Sequence, residues 1–408
     1  MMPRILFIGI NWRYMNRTGE LLLAMLREVG DVVCYGPGFV AEDVLSQGLQ
    51  RFVDAAGPFD AAVMTELIAF SEKVADVDAR QIRSVRRQYV FDFPTRHLDY
   101  VSTIRQQVPA LTCPRLISLL QCDLYNWTSY HTDRICAVAQ YFLSNGPENV
   151  LFVDQMHSLR RESFWRSAND HFARFIIDRA ADIISFPLFV ALEEFYELPL
   201  DQRAYEWAVP GVQYHARRLA DRELRRLGAS RAPRAAARAV VLASRVFGAA
   251  SHVQLSLGNT LFRRQLETAR AVYTCGSALR QPVRKFFEVP AAGALLVCEP
   301  CVGFADMGFR HGVNAIACAP ADVGEVHELL ARDGDRAQHI ATGGQRLVRE
   351  EHSLPARARQ LRSCLTEISN GRFAGARWQE GLFRVSTKGS SSESVRPSIG
   401  APAVTANS

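Results

Sequence analysis

Apolar and polar positions along the first thirty-five residues follow the rhythm of a strand, a helix and a second strand. Ile5 to Ile10 is a buried-type run, Glu20 to Val29 repeats apolar residues at helical spacing, Gly30 stops that helix, and Val32 to Tyr35 opens the next strand. Phe59 to Met64, Arg115 to Leu120 and Ala181 to Phe186 are later strand candidates. Alternation of this kind predicts a parallel sheet with helices on both faces. The turn Gly9-Ile10-Asn11 is not followed by Gly-x-Gly-x-x-Gly, and Gly36-Pro37-Gly38 reads as a loop, which disfavours a nicotinamide dehydrogenase.

The second half repeats the α/β pattern. Ala239 to Ala243 reads as its opening strand and Ala356 to Ile368 as its closing helix. Between them, Lys285 and Glu288 lie three apart on one helical face, while Phe286, Val289 and Pro290 turn toward a core. Gly293 ends that helix, and Ala294 to Cys298 reads as a strand buried on both sides. A charged helix is thereby aimed at the edge of a sheet, where such folds place their ligands.

The turn chemistry of Trp207-Ala208-Val209-Pro210-Gly211-Val212 suits a domain crossing. The expected division is 1–210, 211–368, an extension over 369–385 and a tail over 386–408 that lacks apolar periodicity and is expected to be disordered. Residues 216–238, rich in Arg and Ala, read as a solvated helical face with a linker.

Composition narrows the classes. A 408-residue chain with 48% hydrophobic and 22% charged residues suits two soluble domains. A net charge of +6 fits phosphorylated ligands and leaves a peripheral membrane association open, but without dense basic runs it gives no sign of a nucleic-acid partner. Nine cysteines without regular spacing point to reduced thiols and a cytoplasmic setting. The first ten residues read as a strand rather than a secretory signal, and no run reaches the about 18 apolar residues of a spanning helix.

The stretch from Arg284 to Glu299 continues into Gly303-Phe304, Gly312-Val313-Asn314-Ala315, Ile340-Ala341-Thr342-Gly343-Gly344 and Arg349-Glu350-Glu351-His352-Ser353. Over roughly residues 240 to 365 this series resembles the carboxyl-terminal domain of the CgeB-like glycosyltransferases, relatives of the group 1 enzymes. The resemblance implies the α/β GT-B fold, two Rossmann-like domains whose parallel sheets face an interdomain cleft, and hexosyl or related glycosyl transfer. It also implies that Glu288, standing before a small-Ala-Gly turn, binds the ribose hydroxyls of a nucleotide-diphosphate sugar. Where the wider group often has a second Glu eight positions earlier, this chain has Arg280.

Such a donor presents two phosphates and a diol; phosphates favour helix amino ends and cations, and a diol favours a carboxylate. The loop Cys275-Gly276-Ser277 precedes the Glu288 helix, so the amides of Gly276 and Ser277 are candidates for the diphosphate, with Arg280, Arg284 or Lys285 supplying positive charge. Only Lys73, Lys285 and Lys388 are lysines, so the one in the motif stands out; the plain alternative is a surface Lys285–Glu288 pair. In the first half, Asp123 at the end of a strand and His131 in a loop with Tyr125, Trp127 and Tyr130 are candidates to orient or deprotonate a hydroxyl acceptor.

No metal is expected. Cys298-Glu299-Pro300-Cys301 is half a zinc ribbon without its second pair, and Asp76-Val77-Asp78 lies in a polar segment, as Asp333-Gly334-Asp335 lies in a turn. His215 is read as a packed hinge histidine, and His352 as adjoining the final helix. The reading is a metal-independent glycosyltransferase with no cofactor beyond its donor substrate. A nucleotide-sugar epimerase, a phosphoglycerol-type transferase and a non-catalytic nucleotide-sugar-binding protein are the alternatives.

Overall fold

The computed structural model describes residues 2–11, 17–70, 97–120, 129–144, 170–211, 213–233, 252–276 and 281–389. The first half supplies β1 (Arg4–Ile8), α1 (Thr18–Val29), β2 (Asp31–Tyr35), α2 (Glu42–Gln47), α3 (Leu49–Ala56), β3 (Ala61–Thr65) and α4 (Glu66–Phe70). It continues with α5 (His97–Gln107), β4 (Arg115–Ser118), α6 (Ser129–Val138), β5 (Tyr141–Ser144), α7 (Asp170–Asp178) and β6 (Ile183–Ser185).

These strands read as continuous apolar runs because both faces are covered, yet the period of two still sorts them. Ile5, Phe7, Ala61 and Val63 face a cluster with Leu22, Met25 and Leu26 of α1. Leu6, Ile8, Ala62 and Met64 face another with Val101 and Ile104 of α5 and Ile135 of α6. In the sheet β1 lies between β2 and β3, with β4, β5 and β6 following outward from β3, all parallel. The strand order therefore reverses between β1 and β3, and the crevice beyond their carboxyl ends is where open α/β sheets bind ligands. Gly9 to Asn11 leave β1 at that crevice and Glu66 leaves β3.

The second sheet has the order β10-β9-β8-β7 and is also parallel. Its elements are β7 (Tyr205–Ala208), α8 (His215–Arg226), α9 (His252–Thr268), β8 (Ala269–Thr274), α10 (Lys285–Ala291), β9 (Leu295–Cys298), β10 (Ile316–Ala317), α11 (Val323–Arg332) and α12 (Gly334–Glu351). Two Rossmann-like α/β domains, as the GT-B expectation required, are thus present. No helix among the described residues is long and apolar enough to cross a membrane.

The domain limits differ from those read in the sequence. Because β7 pairs with β8, the chain has already crossed by Tyr205, and Pro210-Gly211 is the loop between β7 and α8 rather than the crossing. The helix assigned to the second domain's end, α13 (Leu354–Ser369), buries Leu361, Cys364, Leu365 and Ile368 against α1 and the first sheet. After it, β11 (Phe373–Gln379) joins the first sheet beside β6 and turns back antiparallel as β12 (Leu382–Thr387). The expected extension over 369–385 is this hairpin, and it runs into the segment expected to be tail; 390–408 lie outside the described residues, as does the strand placed at Ala239 to Ala243.

Two crossings join the domains and are bonded to each other. Val190 donates to the His352 carbonyl at 3.3 Å, and Leu354 donates to the Val190 carbonyl at 2.8 Å. Beneath them lies fully buried Arg357, which donates to the carbonyls of Pro187 and Glu351, to Gln360 Oε1 and to His352 Nδ1. An arginine donates only, so His352 accepts at Nδ1 and its Nε2 donates to the Met307 carbonyl at 2.8 Å. Burial, followed by the Arg357 charge, holds His352 well below its usual range, so it is neutral; its ring stacks on Trp378 of β11 and Phe309.

Candidate functional site

The carboxyl edge of the second sheet gathers the chemistry. β7 runs out into Val209-Pro210-Gly211, β8 into Cys275-Gly276 and β9 into Glu299. Lys285, the first residue of α10, reaches back across this edge to Gly211. A Cβ at Gly211 would lie 2.7 Å from Lys285 Cε, 2.9 Å from its Nζ and 3.4 Å from Arg217 Nη1, so a side chain there would push the flexible end of Lys285 aside. The Gly211 φ of +85° favours glycine.

Lys285 and Arg217 thus converge on one point. Arg217, buried on α8, donates to Thr274 Oγ1 at 2.9 Å and to the Cys275 carbonyl at 3.0 Å. The Lys285 ammonium has no hydrogen-bond or ion-pair partner among the described residues; it lies over the Phe262 ring, 5.4 Å from its centre. The lysine stem keeps some exposed surface, but its charged end is desolvated. That desolvation, added to by Arg217 and opposed by Glu288, lowers its pKa to about 8. Lys285, which has no hydrogen-bond or ion-pair partner among the described residues, thus stands beside a second cation, and an anion would complete that site.

One turn along α10, Glu288 accepts from Arg284 Nη1 at 2.5 Å. Arg284 Nη2 holds both carboxylate oxygens of Glu194, and Nε reaches the Phe189 carbonyl at 3.3 Å. Burial pulls the Arg284 pKa down, but the charges of Glu288 and Glu194 outweigh it and the net direction is up. Glu194 in turn lies 3.9 Å from Arg17 at the start of α1, which also holds Glu193 at 2.9 Å. An ionic chain from Glu288 through Arg284 and Glu194 to Arg17 therefore ties the second sheet's helix to the loop that follows β1 in the first.

The α10 helix is set in place by its far end. Gly293 (φ +67°) donates to the Pro290 carbonyl and Ala294 to the Val289 carbonyl, the paired bonds of a left-handed helix stop. Phe286, Phe287 and Val289 bury the opposite face. Beyond Gly293 a cavity of about 340 Å³ is lined by Tyr196, Pro199, Gln338, Thr342 and Gln345. Its amides are used by the fold, Gln345 on the Tyr196 and Ala291 carbonyls and Gln338 on the Leu200 N–H, so it offers no chemistry comparable with Lys285 and Arg217.

At the first sheet's crevice, Thr65 ends β3 with a buried hydroxyl that has no hydrogen-bond partner among the described residues. Glu66 follows it, 6% exposed, with no ion pair among the described residues. Desolvation raises its pKa to about 7, with its own backbone N–H offsetting part of the shift. The same short helix ends at Phe70, whose ring meets that of His131 on α6 at 5.2 Å. Desolvation lowers the His131 pKa.

Residues 233–363 match the family model described as glycosyl transferase-like. No curated protein matches the chain. Among solved structures, HepE of Anabaena, in complex with UDP and glucose, is similar over 89% of this chain and 99% of its own, at 11% identity and a TM-score of 0.48. A glycosyltransferase of Rickettsia africae is similar over 90% and 98%, at 12% identity and 0.47. Sucrose-phosphate synthase of Thermosynechococcus elongatus is similar over 90% and 100%, at 11% identity and 0.44. At such identities and scores, a functional reading has to rest on this chain's own residues.

Of the residues singled out in the sequence, Gly276, Lys285 and Glu288 share the second sheet's edge, while Ser277, Arg280 and Asp123 lie outside the described residues, as do Asp76 and Asp78. The helix that carries Glu288 begins at Lys285, and Gly276 lies two residues past the end of β8. Arg284, read as a phosphate contact, is committed to Glu194 and Glu288, because those carboxylates surround its guanidinium. Glu288 correspondingly pairs with Arg284 rather than Lys285. His215, read as packed, is exposed at the start of α8. Cys298 and Cys301 are buried free thiols pushed up in pKa chiefly by desolvation.

Arg217 and Glu66 were missed. Arg217 is in helical phase with Ala220 and Leu224, which are buried, so its place on the core face of an otherwise solvated helix was readable. Glu66 directly follows the fully buried strand β3, the position from which α/β sheets present functional side chains.

Proposed function

We propose that the protein is a glycosyltransferase of the CgeB-like kind that moves a sugar from a nucleotide-diphosphate donor to a hydroxyl acceptor without an obligatory metal. The observation that carries this reading is the convergence of Lys285 and Arg217 on Gly211 one helical turn from the Glu288 carboxylate. The diphosphate would be the anion that Lys285 lacks, while Glu288 accepts from the ribose hydroxyls through the oxygen that Arg284 does not hold.

Glycosyl transfer builds negative charge on the departing diphosphate. Fixed cations in a desolvated edge stabilise that charge more than they stabilise the bound donor, which is the requirement for lowering a barrier. Lys285 and Arg217 can meet it without a divalent ion. The first domain would hold the acceptor, and the Arg17–Glu194–Arg284 chain would keep the two edges apposed.

The test is a panel of nucleotide sugars incubated with the full chain, with mass-spectrometric detection of transfer and hydrolysis, in excess EDTA and again with magnesium. Turnover of one donor that survives EDTA is the expected result. Turnover that vanishes in EDTA and returns with magnesium would overturn the metal-independent mechanism, and binding without turnover of any donor would favour a nucleotide-sugar-binding protein. In the same assay Glu288→Gln should weaken donor binding by about 1.5 to 3 kcal/mol, the range for a hydrogen bond to a charged group.

A further inference from the structure

We propose that Glu66 is the general base that removes the proton from the acceptor hydroxyl. The proposal rests on the glycosyl-transfer reading and adds the residue and the side of the cleft from which the acceptor is activated.

Glu66 stands at the reversal of strand order between β1 and β3, the point at which an open parallel sheet leaves a crevice. The neighbouring strand β1 leads through Gly9 to Asn11 toward Arg17, and Arg17 is joined through Glu194 and Arg284 to Glu288 on the donor helix. The edge carrying Glu66 is therefore the one tied to the donor side. Beside it, the buried Thr65 Oγ1 has no hydrogen-bond partner among the described residues, so the strand end that carries Glu66 also holds unused hydrogen-bonding capacity.

The charged groups around α4 do not account for this carboxyl. On α5, Arg105 donates to the Ala69 carbonyl and Ser102 Oγ, and Asp99 is exposed. On α6, Arg134 lies over the Tyr130 ring and His131 lies against Phe70, with Asp133 the remaining charged group; β3 carries none. None forms an ion pair with Glu66, and burial alone raises its pKa to about 7, near the value at which a carboxylate is still ionised in neutral solution and basic enough to take a proton. A buried acid with no ion pair among the described residues costs stability, and such costs concentrate at functional sites.

In the step, the acceptor oxygen forms a bond to the anomeric carbon as its proton passes to Glu66. The bond from that carbon to the diphosphate oxygen breaks, and its electron pair leaves with the nucleoside diphosphate toward Lys285 and Arg217. Atoms and charge balance without a co-reactant, and a single displacement of this kind inverts the anomeric centre.

The test compares the full chain with Glu66→Gln and Glu66→Ala, using the donor that the panel identifies, glycerol and water as surrogate acceptors, and the matching nucleoside diphosphate as binding probe. Glu66→Gln should bind the nucleoside diphosphate as the unaltered chain does and lose transfer by at least about 100-fold, as removal of a general base does. The rise of rate with pH through about 7 should disappear with it, and added formate should restore part of the rate of Glu66→Ala.

Stability gives a readout independent of turnover. Because the folded-state pKa is raised, the carboxyl's cost appears as pH rises from the ordinary carboxylate range through about 7, so Glu66→Gln should melt at or above the unaltered chain at pH 8. Equal transfer by Glu66→Gln with probe binding intact, or lost melting temperature at every pH, overturns the assignment to Glu66 alone. An unaltered chain that binds no donor overturns the glycosyl-transfer reading and this role together.

Discussion

Lys285 and Arg357 are both desolvated cations without an ion-paired carboxylate among the described residues, and they differ in what their N–H groups do. Arg357, beneath the two crossings, donates to two carbonyls, an amide oxygen and a histidine nitrogen; burial still lowers its pKa to about 9, but each of its three nitrogens is engaged by the fold. Arg203 shows the same pattern, with all its bonds to backbone carbonyls of Leu198, Leu266, Ala269 and Ala292. The Lys285 ammonium donates to none of the described residues. Burial of charge thus does not by itself mark a site; burial with unused donors does.

The largest effect expected from this contrast is at Arg357. Arg357→Ala would strand the Pro187 carbonyl, leave His352 Nδ1 without its donor and open a cavity under Trp378. The cost should be about 3 to 5 kcal/mol in a denaturant titration. A loss below about 1 kcal/mol would show that the crossings are held by something other than this arginine.

Lys285→Met should behave oppositely. Removing a desolvated, unpartnered charge should leave the melting temperature unchanged or higher, whereas nucleoside diphosphate binding in calorimetry should weaken by about 1.5 to 3 kcal/mol. If Lys285→Met instead unfolds the protein at unchanged affinity, the distinction between the two cations collapses.

A pH series sharpens the same point. The Lys285 pKa of about 8 lies below its ordinary 10.5, so its cost to folding is present below pH 8 and relieved as pH rises toward 10.5. Diphosphate binding needs the protonated form and should therefore weaken as pH rises through 8, while the fold gains stability over the next units. Lys285→Met should abolish that titration of affinity; a flat profile in the unaltered chain would mean that Lys285 does not face the ligand.

The smallest of these effects concerns the stop that sets α10. At Gly293 a Cβ would meet the Tyr196 carbonyl oxygen at 2.7 Å and Arg203 Nη2 at 2.9 Å in a left-handed backbone, so Gly293→Ala should cost about 1 to 3 kcal/mol in thermal unfolding. Gly228 has a similar φ of +71° and open space around it, so Gly228→Ala should cost less. Equal losses would show that conformation alone, rather than crowding at Tyr196, fixes the helix.

Much of the fold was legible because local pattern and tertiary role agree. β1, α1, β3, β4 and β9 lie where apolar runs and helical phase put them, and Gly293 stops α10 as its position implied. Pairing was not legible. A Pro-Gly turn serves a strand-to-helix loop as well as a crossing, which displaced the boundary at Gly211, and the apolar stripe of α13 does not record which sheet it covers. The β11–β12 hairpin had a local signal that went unread: Glu380 and Gly381, with φ of 53° and 85°, form a two-residue turn between Gln379 and Leu382. At the site, residue type pointed to Lys285 and Glu288, but the partners that define their roles, Arg217 and Arg284, depend on distances that no spacing encodes.

The return of the chain through α13 to β11 makes the second domain an insertion between parts of the first, and this has a consequence for synthesis. β11 pairs with β6, Ala376 opposite Ile184, so the strand that covers the β6 edge leaves the ribosome almost two hundred residues after its neighbour. The domain begun first is completed last, and meanwhile β6 presents the kind of uncovered edge on which nascent chains associate wrongly. A chain terminated shortly after Ser369 would release a complete second sheet attached to a first sheet with that edge open, and truncation there should be read out as aggregation before it is read out as lost activity.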